Sequence, residues 1–314
     1  MSKGQTEPQS FESIASLVDV QYKVEKLKVG RELRLIALGK EKTGISDYEH
    51  HKKEILEAGK LADPVCAEVY TRLVDLNKYL RAHTAEVVKR HPVYENWARY
   101  VRGMSPMLLG KAMGRCDIVK LTTASKFRAH AGLRPDQVGR KKGEKLTYDP
   151  RLKSVLWVIG RQLRYAHGVY YDIYKRAKDY YTSRCQRQGI KIVPTPAGTW
   201  QCLNCGESWK RKKDITPCCE ESDIQKIVKK EPPGVIYKGH LDMMAMRKMI
   251  SLFGIHMWAT WREAEGLPIP KPWILTSHAE EKGLGEHVDY IPPLTDGIRR
   301  QARMQRKNYN PQAS

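Results

Sequence analysis

The chain has 314 residues, 41% of them hydrophobic, enough to fill the cores of two or three modest domains and too many for a disordered tail. Its 56 Lys and Arg against 35 Asp and Glu give a net charge of +21, which points to a polyanionic partner, nucleic acid or an anionic membrane surface. No run approaches the roughly 18 to 20 apolar residues that span a bilayer, and MSKGQTEPQSFES lacks the apolar core of a signal peptide, so a cytoplasmic, nucleoid-associated protein without membrane contact is expected.

From Phe11 to Leu38, the residues Leu17, Val20, Val24, Leu27 and Leu38 recur at helical spacing, and LGKEKTG ends that helix. Pro64, a good first-turn residue, opens a second helix on which Cys66, Val69, Leu73, Leu76, Leu80, His83 and Val87 follow alternating steps of three and four. Such a seam needs a partner: the first helix, folded back as a hairpin within residues 1–91, or a second copy of the chain in a coiled-coil homodimer. His83 on the seam is read as a packing or register-setting residue, since no second ligand lies near it.

HPVYENWARYVRGMSPMLLGKAMGRCD holds two short helical patterns joined at 103–106, and TTASKFRAHAGLRP begins with hydroxyl residues suited to an N-cap. GRKKG, residues 139–143, reads as a loop, and a long helix starts near Pro150 with Leu152, Val155, Ile159, Leu163, Ala166, Tyr170, Ile173 and Ala177 on one face. Prolines and glycines at 194–198 and 232–234 bracket residues 186–236 as an insert between helices. Helix returns over 237–270, with Leu241, Ala245, Met249, Leu252, Phe253, Met257 and Trp261 inward as core. Residues 271–314 form a basic tail rich in proline and glycine.

Within the insert, QCLNCGESWKRKKDITPCCE carries four of the seven cysteines, an odd total that argues against a disulfide framework. Cys202 and Cys205 stand two residues apart, a spacing that lets both thiolates of a tight knuckle bind one tetrahedral ion while backbone amides stabilise their charge. Cys218 and Cys219 follow after twelve intervening residues, and four sulfur ligands select Zn2+. A closed four-sulfur site has no open position for water, so this zinc is structural. Trp200 and KKDIT fit a zinc ribbon, two short antiparallel strands held by an ion in place of a core. Adjacent side chains diverge, so Cys185 or His240 is the alternative to one of Cys218 and Cys219. Lys210, Arg211, Lys212 and Lys213 surround the ribbon, as a phosphate-contacting finger or as a solvated face. The cluster resembles the zinc ribbons appended to many transposases and nucleic-acid enzymes.

The positive charge is concentrated. Between Lys120 and Arg187 stand 17 Lys and Arg against 5 Asp and Glu, a surplus exceeding half of the net +21, with tyrosines interleaved. Lys126, Arg128, Arg134, Arg140, Lys141, Lys142, Lys145, Arg151 and Lys153 surround the glycine loop and are the candidate nucleic-acid contacts.

RGMSPMLLGKAMGRCDIVKLTTASKFRAHAGLRP, followed by YDPRLKSVLW, resembles the C-terminal domain of transposases of the insertion-sequence 110/116/902 group, relatives of Piv-type DNA invertases. The preceding helical pair is similar to that family's coiled-coil linker, and GHLDMMAMRKMISLFGIHMWATWREAEGLP to its closing helix. The resemblance covers most of 64–178 and 238–270, with FRAHAGLRP and DPRLKSVLW its specific part. It implies, over 92–185, a helical domain with a helix-hairpin-helix-like element that grips duplex DNA. Gly103, Met104 and Ser105 would form the hairpin, Ser105 standing where a second glycine is usual.

Family members recombine DNA, some guided by an RNA, using an N-terminal acidic ribonuclease-H-like domain that binds divalent metal and a serine nucleophile just after GLxP. This chain departs from both: its first sixty residues show no alternating strand ending in aspartate, and no residue from Asp136 to Leu146 is serine. Ser125, Thr147, Tyr148 and Ser154 are the nearby hydroxyls, read chiefly as capping or packing groups. The expected fold is mainly α, a helical hairpin or coiled coil plus a helix-hairpin-helix-like domain with a small β zinc ribbon inserted. The expected function is that of a transposase-family DNA-binding protein, a non-catalytic or split C-terminal part serving as regulator or accessory subunit. The alternatives are an active transposase, using Tyr148 or Ser154 or a separately encoded nuclease-domain partner, and an RNA-binding ribbon protein that holds a guide or structured RNA.

Overall fold

A computed structural model describes residues 11–134, 143, 145–193, 195, 198–202, 207–211, 214–216, 224–226, 231 and 233–270. Helix dominates, with nine α-helices and five short strands among the described residues. They divide into two compact units, one running to Val169 and resuming at Phe253, the other spanning Tyr170–Leu252.

The first unit opens with α1 (Phe11–Thr43), whose 33 residues rise about 50 Å at 1.5 Å each. Asp47 then caps α2 (Tyr48–Ala62) by accepting from the backbone N–H of Glu49 at 3.1 Å. Asp63 does the same for α3 (Pro64–Lys89), accepting from the Cys66 N–H at 2.9 Å, with Pro64 in the first turn. The two helices run back along α1 as one arm broken at Asp63 and Pro64. Gly39 meets Ile55, Gly59 meets Leu35, Arg31 meets Cys66 and Gln21 meets Asn77, an antiparallel order. A Cβ on Gly39 would collide with the Ile55 carbonyl oxygen, and one on Gly59 with that of Leu35, so the backbones touch where only glycine fits.

The hairpin anticipated for residues 1–91 is present, with two corrections. Helix α2 supplies half of the returning arm, and the inward faces are rotated from those read in the sequence. On α1 the buried residues are Ile14, Val18, Gln21, Val24 and Leu35, while Val20 and Leu27 are 42% and 57% exposed. On α3 they are Cys66, Asn77, Leu80, Thr84, Val87 and Val88, whereas Val69 and Leu76 face outward, as does His83, stacked on Tyr79. The inner stripe contains Gln21, Asn77 and Thr84, which hydropathy does not count as core.

Beyond α3 come α4 (Pro92–Asn96), a 3-10 turn over Ala98–Tyr100, α5 (Pro106–Met113), α6 (Ala124–His130) and α7 (Pro150–Ala166). The closing segment belongs to α9 (Lys238–Ala264), whose Phe253, Met257, Trp258 and Trp261 are buried, so the Met and Trp stripe is core. Phe253 packs on Trp97 at 5.4 Å, and Gly254 lies against the Phe127 ring. The helix expected to continue from Pro150 through Ala177 stops at Ala166, because His167 adopts a left-handed φ of 51°. One apolar period runs through both pieces, so spacing alone does not reveal the break.

The second unit is built on α8 (Val169–Arg187), which buries Tyr170, Ile173, Tyr174, Ala177 and Cys185. β1 (Lys191–Val193) pairs in parallel with β5 (Val235–Tyr237). A three-stranded antiparallel ribbon, β2 (Trp200–Cys202) between β3 (Ser208–Trp209) and β4 (Ile224–Lys226), lies within the same unit. Cys185, Ile236 and Leu241 form a small apolar cluster, and Asp242 accepts from the Tyr174 hydroxyl and pairs with Lys178 at 2.7 Å. The sequence reading places boundaries after 91, 185 and 236, whereas the compact units change at 169/170 and 252/253, within α8 and α9.

In the first unit His91 is buried, and its Nδ1 accepts from the Val93 N–H at 3.2 Å, capping α4. That bond fixes the neutral tautomer, with the Nε2 proton directed at Glu265 3.4 Å away. Burial pulls its pKa below the ordinary 6.5, against the opposing pull of Glu265. The stability this contributes is complete above pH 6.5 and is lost as pH falls through the folded-state value, when Nδ1 must take a proton and release Val93. Denaturant unfolding at pH 7.5, 6 and 5 checks this. His91→Asn, which caps a helix without titrating, is expected to be less stable at pH 7.5 yet to lose less than the wild type on acidification.

Candidate nucleic-acid interface

The basic centre lies in the first unit, on α6, α7 and the loop joining them. Thr123 caps α6 through a 3.1 Å bond from the Lys126 N–H, and Gly132, at φ +66°, ends it. The Leu133 N–H reaches back to the Arg128 carbonyl at 2.9 Å, a Schellman closure, and Leu133 is buried as its hydrophobic anchor. On the other side Asp149 caps α7 by accepting from Arg151 and Leu152 at 2.7 and 3.1 Å. The Asp149 N–H donates to the His130 carbonyl at 2.9 Å, so the loop between the helices is tied shut at its base. Gly132 packs on Tyr148 and Lys153 at that neck, where a Cβ would come within 2.7 Å of the Tyr148 ring.

Around the neck stand Lys126, Arg134, Lys145 and Arg151, all exposed, with Arg128 and Lys153 half-buried. Lys126 donates to the Thr122 hydroxyl at 3.0 Å, Lys153 lies 4.6 Å over the Tyr148 ring, and Arg151 lies 4.0 Å over Tyr22 of α1. Arg115 approaches the same Tyr22 ring at 5.8 Å, a second guanidinium on that ring that the sequence reading does not include. Asp19, one turn before Tyr22, is held below the ordinary carboxylate range first by its hydrogen bond from Lys23, with Arg115 and Arg151 adding to the field. Among the described residues none of Lys126, Lys145, Arg151 and Lys153 is ion-paired to a carboxylate. Arg128 and Arg134 have partners within the protein. Arg140, Lys141 and Lys142 lie outside the described residues.

The expected hairpin at 103–105 is accounted for by internal contacts. Gly103, at φ +84°, faces α7 so closely that a Cβ would lie 2.8 Å from the Gln162 carbonyl oxygen. Ser105 caps α5 by accepting from the Leu108 N–H at 3.3 Å. The Ser154 hydroxyl donates to the Pro150 carbonyl at 2.9 Å. Burial pushes the Cys116 thiol far above its ordinary range, so it is a packing group rather than a nucleophile.

Of the four proposed zinc ligands, Cys202 is described and fully buried; Cys205, Cys218 and Cys219 lie outside the described residues. Trp200 pairs with Trp209 and the Cys202 N–H donates to the Glu207 carbonyl at 2.9 Å. Thr216 accepts from the Trp209 indole at 3.3 Å, and Ile224 lies in register with Cys202. Of the alternative ligands, Cys185 belongs to the apolar cluster, and Nδ1 of His240 faces Glu231 at 2.7 Å, leaving Nε2 for a metal. Among the described residues no three His, Cys, Asp or Glu side chains gather into a metal site, and no helix is long and apolar enough to cross a membrane. No family model, curated protein or solved structure matches the chain.

Proposed function

We propose that this chain is a transposase-type DNA-binding protein that grips duplex DNA through the loop between α6 and α7. It acts as a regulator, an accessory subunit or the separately encoded C-terminal half of a split recombinase. The observation that carries the reading is the tied neck. One hydrogen bond between Asp149 and His130 gathers Lys126, Lys145, Arg151 and Lys153 at the base of a loop whose own sequence adds Arg140, Lys141 and Lys142. Cations held on hydroxyl and tyrosine partners keep their full charge for phosphate oxygens, whereas ion-paired ones would have to break a salt bridge first. The ribbon holds a structural Zn2+ through Cys202, Cys205, Cys218 and Cys219. The outward Val65, Val69, Leu76 and Tyr79 support a homodimer.

Replacing Arg140, Lys141 and Lys142 together by glutamate is expected to lower affinity for duplex DNA at least about 100-fold near 0.15 M salt. The slope of log K against log salt should fall by up to about 2.7, at roughly 0.9 for each phosphate that is no longer neutralised. Gel shifts across a salt series read both quantities. Unchanged affinity at moderate salt would move the binding surface elsewhere, and tighter binding to a structured RNA of equal length would make RNA the partner.

A further inference from the structure

The structure assigns an anion site, separate from the basic centre, to a cleft on the hairpin between α1 and α3. The cleft measures about 280 Å³ and is lined by Lys28, Val74, Asn77, Lys78 and Arg81. Its distinguishing feature is Asn77, only 5% exposed, at a position where an all-apolar seam would place an aliphatic residue.

The hydrogen bonds fix which way this amide points. Gln21 contacts Glu25 Oε2 at 3.0 Å and Asn77 at 3.2 Å through the same terminal atom. An ionised carboxylate only accepts, so that atom of Gln21 is its N–H2 group, and the Asn77 atom receiving the second N–H is its carbonyl oxygen. The Asn77 N–H2 is therefore the group left at the cleft, with no acceptor among the described residues. That donor is not sealed from solvent, since Asn77 is not among the buried polar groups that lack a partner, so a partner reaches it through the cleft.

Three cations line the same cleft. Lys28 comes from α1 and Lys78 and Arg81 from α3, and none is ion-paired among the described residues. The adjacent carboxylate, Glu25, is already engaged by Gln21 and, at 3.7 Å, by Lys111. An oriented amide donor sharing one cleft with three positive charges, in a space too small for a folded partner, suits a phosphate group with several acceptor oxygens. The phosphate is either a small free anion, inorganic or borne by a nucleotide, or one unit of a nucleic-acid backbone. This site does not rest on the DNA-binding reading, because inorganic phosphate tests it without DNA.

The test uses the full chain labelled with 15N-asparagine and follows the Asn77 side-chain N–H2 resonance at low salt. Addition of inorganic phosphate or pyrophosphate to about 10 mM is expected to shift that resonance saturably, with Kd below about 1 mM. Lys78→Ala with Arg81→Ala, both exposed positions, should weaken binding at least about tenfold while leaving thermal stability intact. Asn77→Asp, which replaces the donor with an acceptor and adds a negative charge, should abolish it. A shift with a 20-base-pair duplex but none with the small anions identifies the nucleic-acid backbone as the source. No shift with either, or equal affinity in the Lys78→Ala, Arg81→Ala variant, overturns the site. Failure here leaves the Arg140, Lys141 and Lys142 result untouched, and the reverse also holds.

Discussion

Cys202→Ser is expected to reduce bound zinc from about one ion per chain to none and to melt β2, β3 and β4 while the helices persist. The magnitudes explain why so much depends on one sulfur. Ordering the eight residues of these three strands costs about 1–2 kcal/mol each in backbone entropy, roughly 8–16 kcal/mol in all. Their buried hydrophobic side chains among the described residues are Trp209 and Cys202, and full burial of a large side chain returns only about 1.5–3 kcal/mol. The shortfall, about 5–14 kcal/mol, is one that the roughly 10–16 kcal/mol of a structural zinc ion covers when thiolates close around it. A serine hydroxyl leaves three sulfurs at most and places a polar group where the cysteine is fully buried. Metal analysis of the purified chain reads the ion, and the fluorescence of Trp200 and Trp209 reads the strands. Wild-type protein purified with zinc present but containing none would end the zinc reading, and so would undiminished zinc in Cys202→Ser.

The sequence reveals elements with strong caps and sustained periodicity, and conceals those whose core is not apolar. Pro64 after Asp63, Thr123 before ASKF and Asp149 before Pro150 each combine a capping oxygen with a helix-compatible first turn, and those helices begin where their chemistry says. Helix α2 buries only Ile55 and Gly59, so it leaves almost no hydrophobic signature, and its packing depends on the absence of a side chain at Gly59. The faces of α1 and α3 were obscured for a related reason, since Gln21 donates to the Asn77 carbonyl inside the hairpin and both amides read as surface in a hydropathy pattern. In the candidate interface, the cations around Gly132 were legible from composition. Arg115 was not, because its place beside Tyr22 brings together residues far apart in the chain.

Arg262→Met is expected to destabilise the first unit by about 3–5 kcal/mol, the usual cost of breaking a buried charged hydrogen-bond set. Arg262 is 3% exposed, and its acceptors are backbone carbonyls: Nη1 donates to Ile118 at 2.8 Å and to Leu121 at 3.4 Å, and Nε to Pro268 at 2.7 Å. The Trp258 indole, 5.7 Å beneath the guanidinium carbon, adds a 2.6 Å bond to the same Leu121 oxygen. Leu121 therefore keeps a donor in the variant, whereas the Ile118 and Pro268 oxygens lose the one that Arg262 provides. Methionine approximates the missing volume, so the loss reports hydrogen bonds more than packing. Lysine carries the charge but a single ammonium cannot reach along both directions of the fork, so Arg262→Lys should recover only part of the stability. At roughly 2–4 °C per kcal/mol for a unit of this size, Arg262→Met lowers the melting temperature by about 6–20 °C, which calorimetry resolves. These bonds also fix residues 118–121, two residues before the Thr123 cap of α6, so the same variant should weaken DNA binding while every candidate contact residue stays in the sequence. A loss below about 1 kcal/mol would show that water replaces the guanidinium at those carbonyls, and that the closing helix is held by its aromatic core alone.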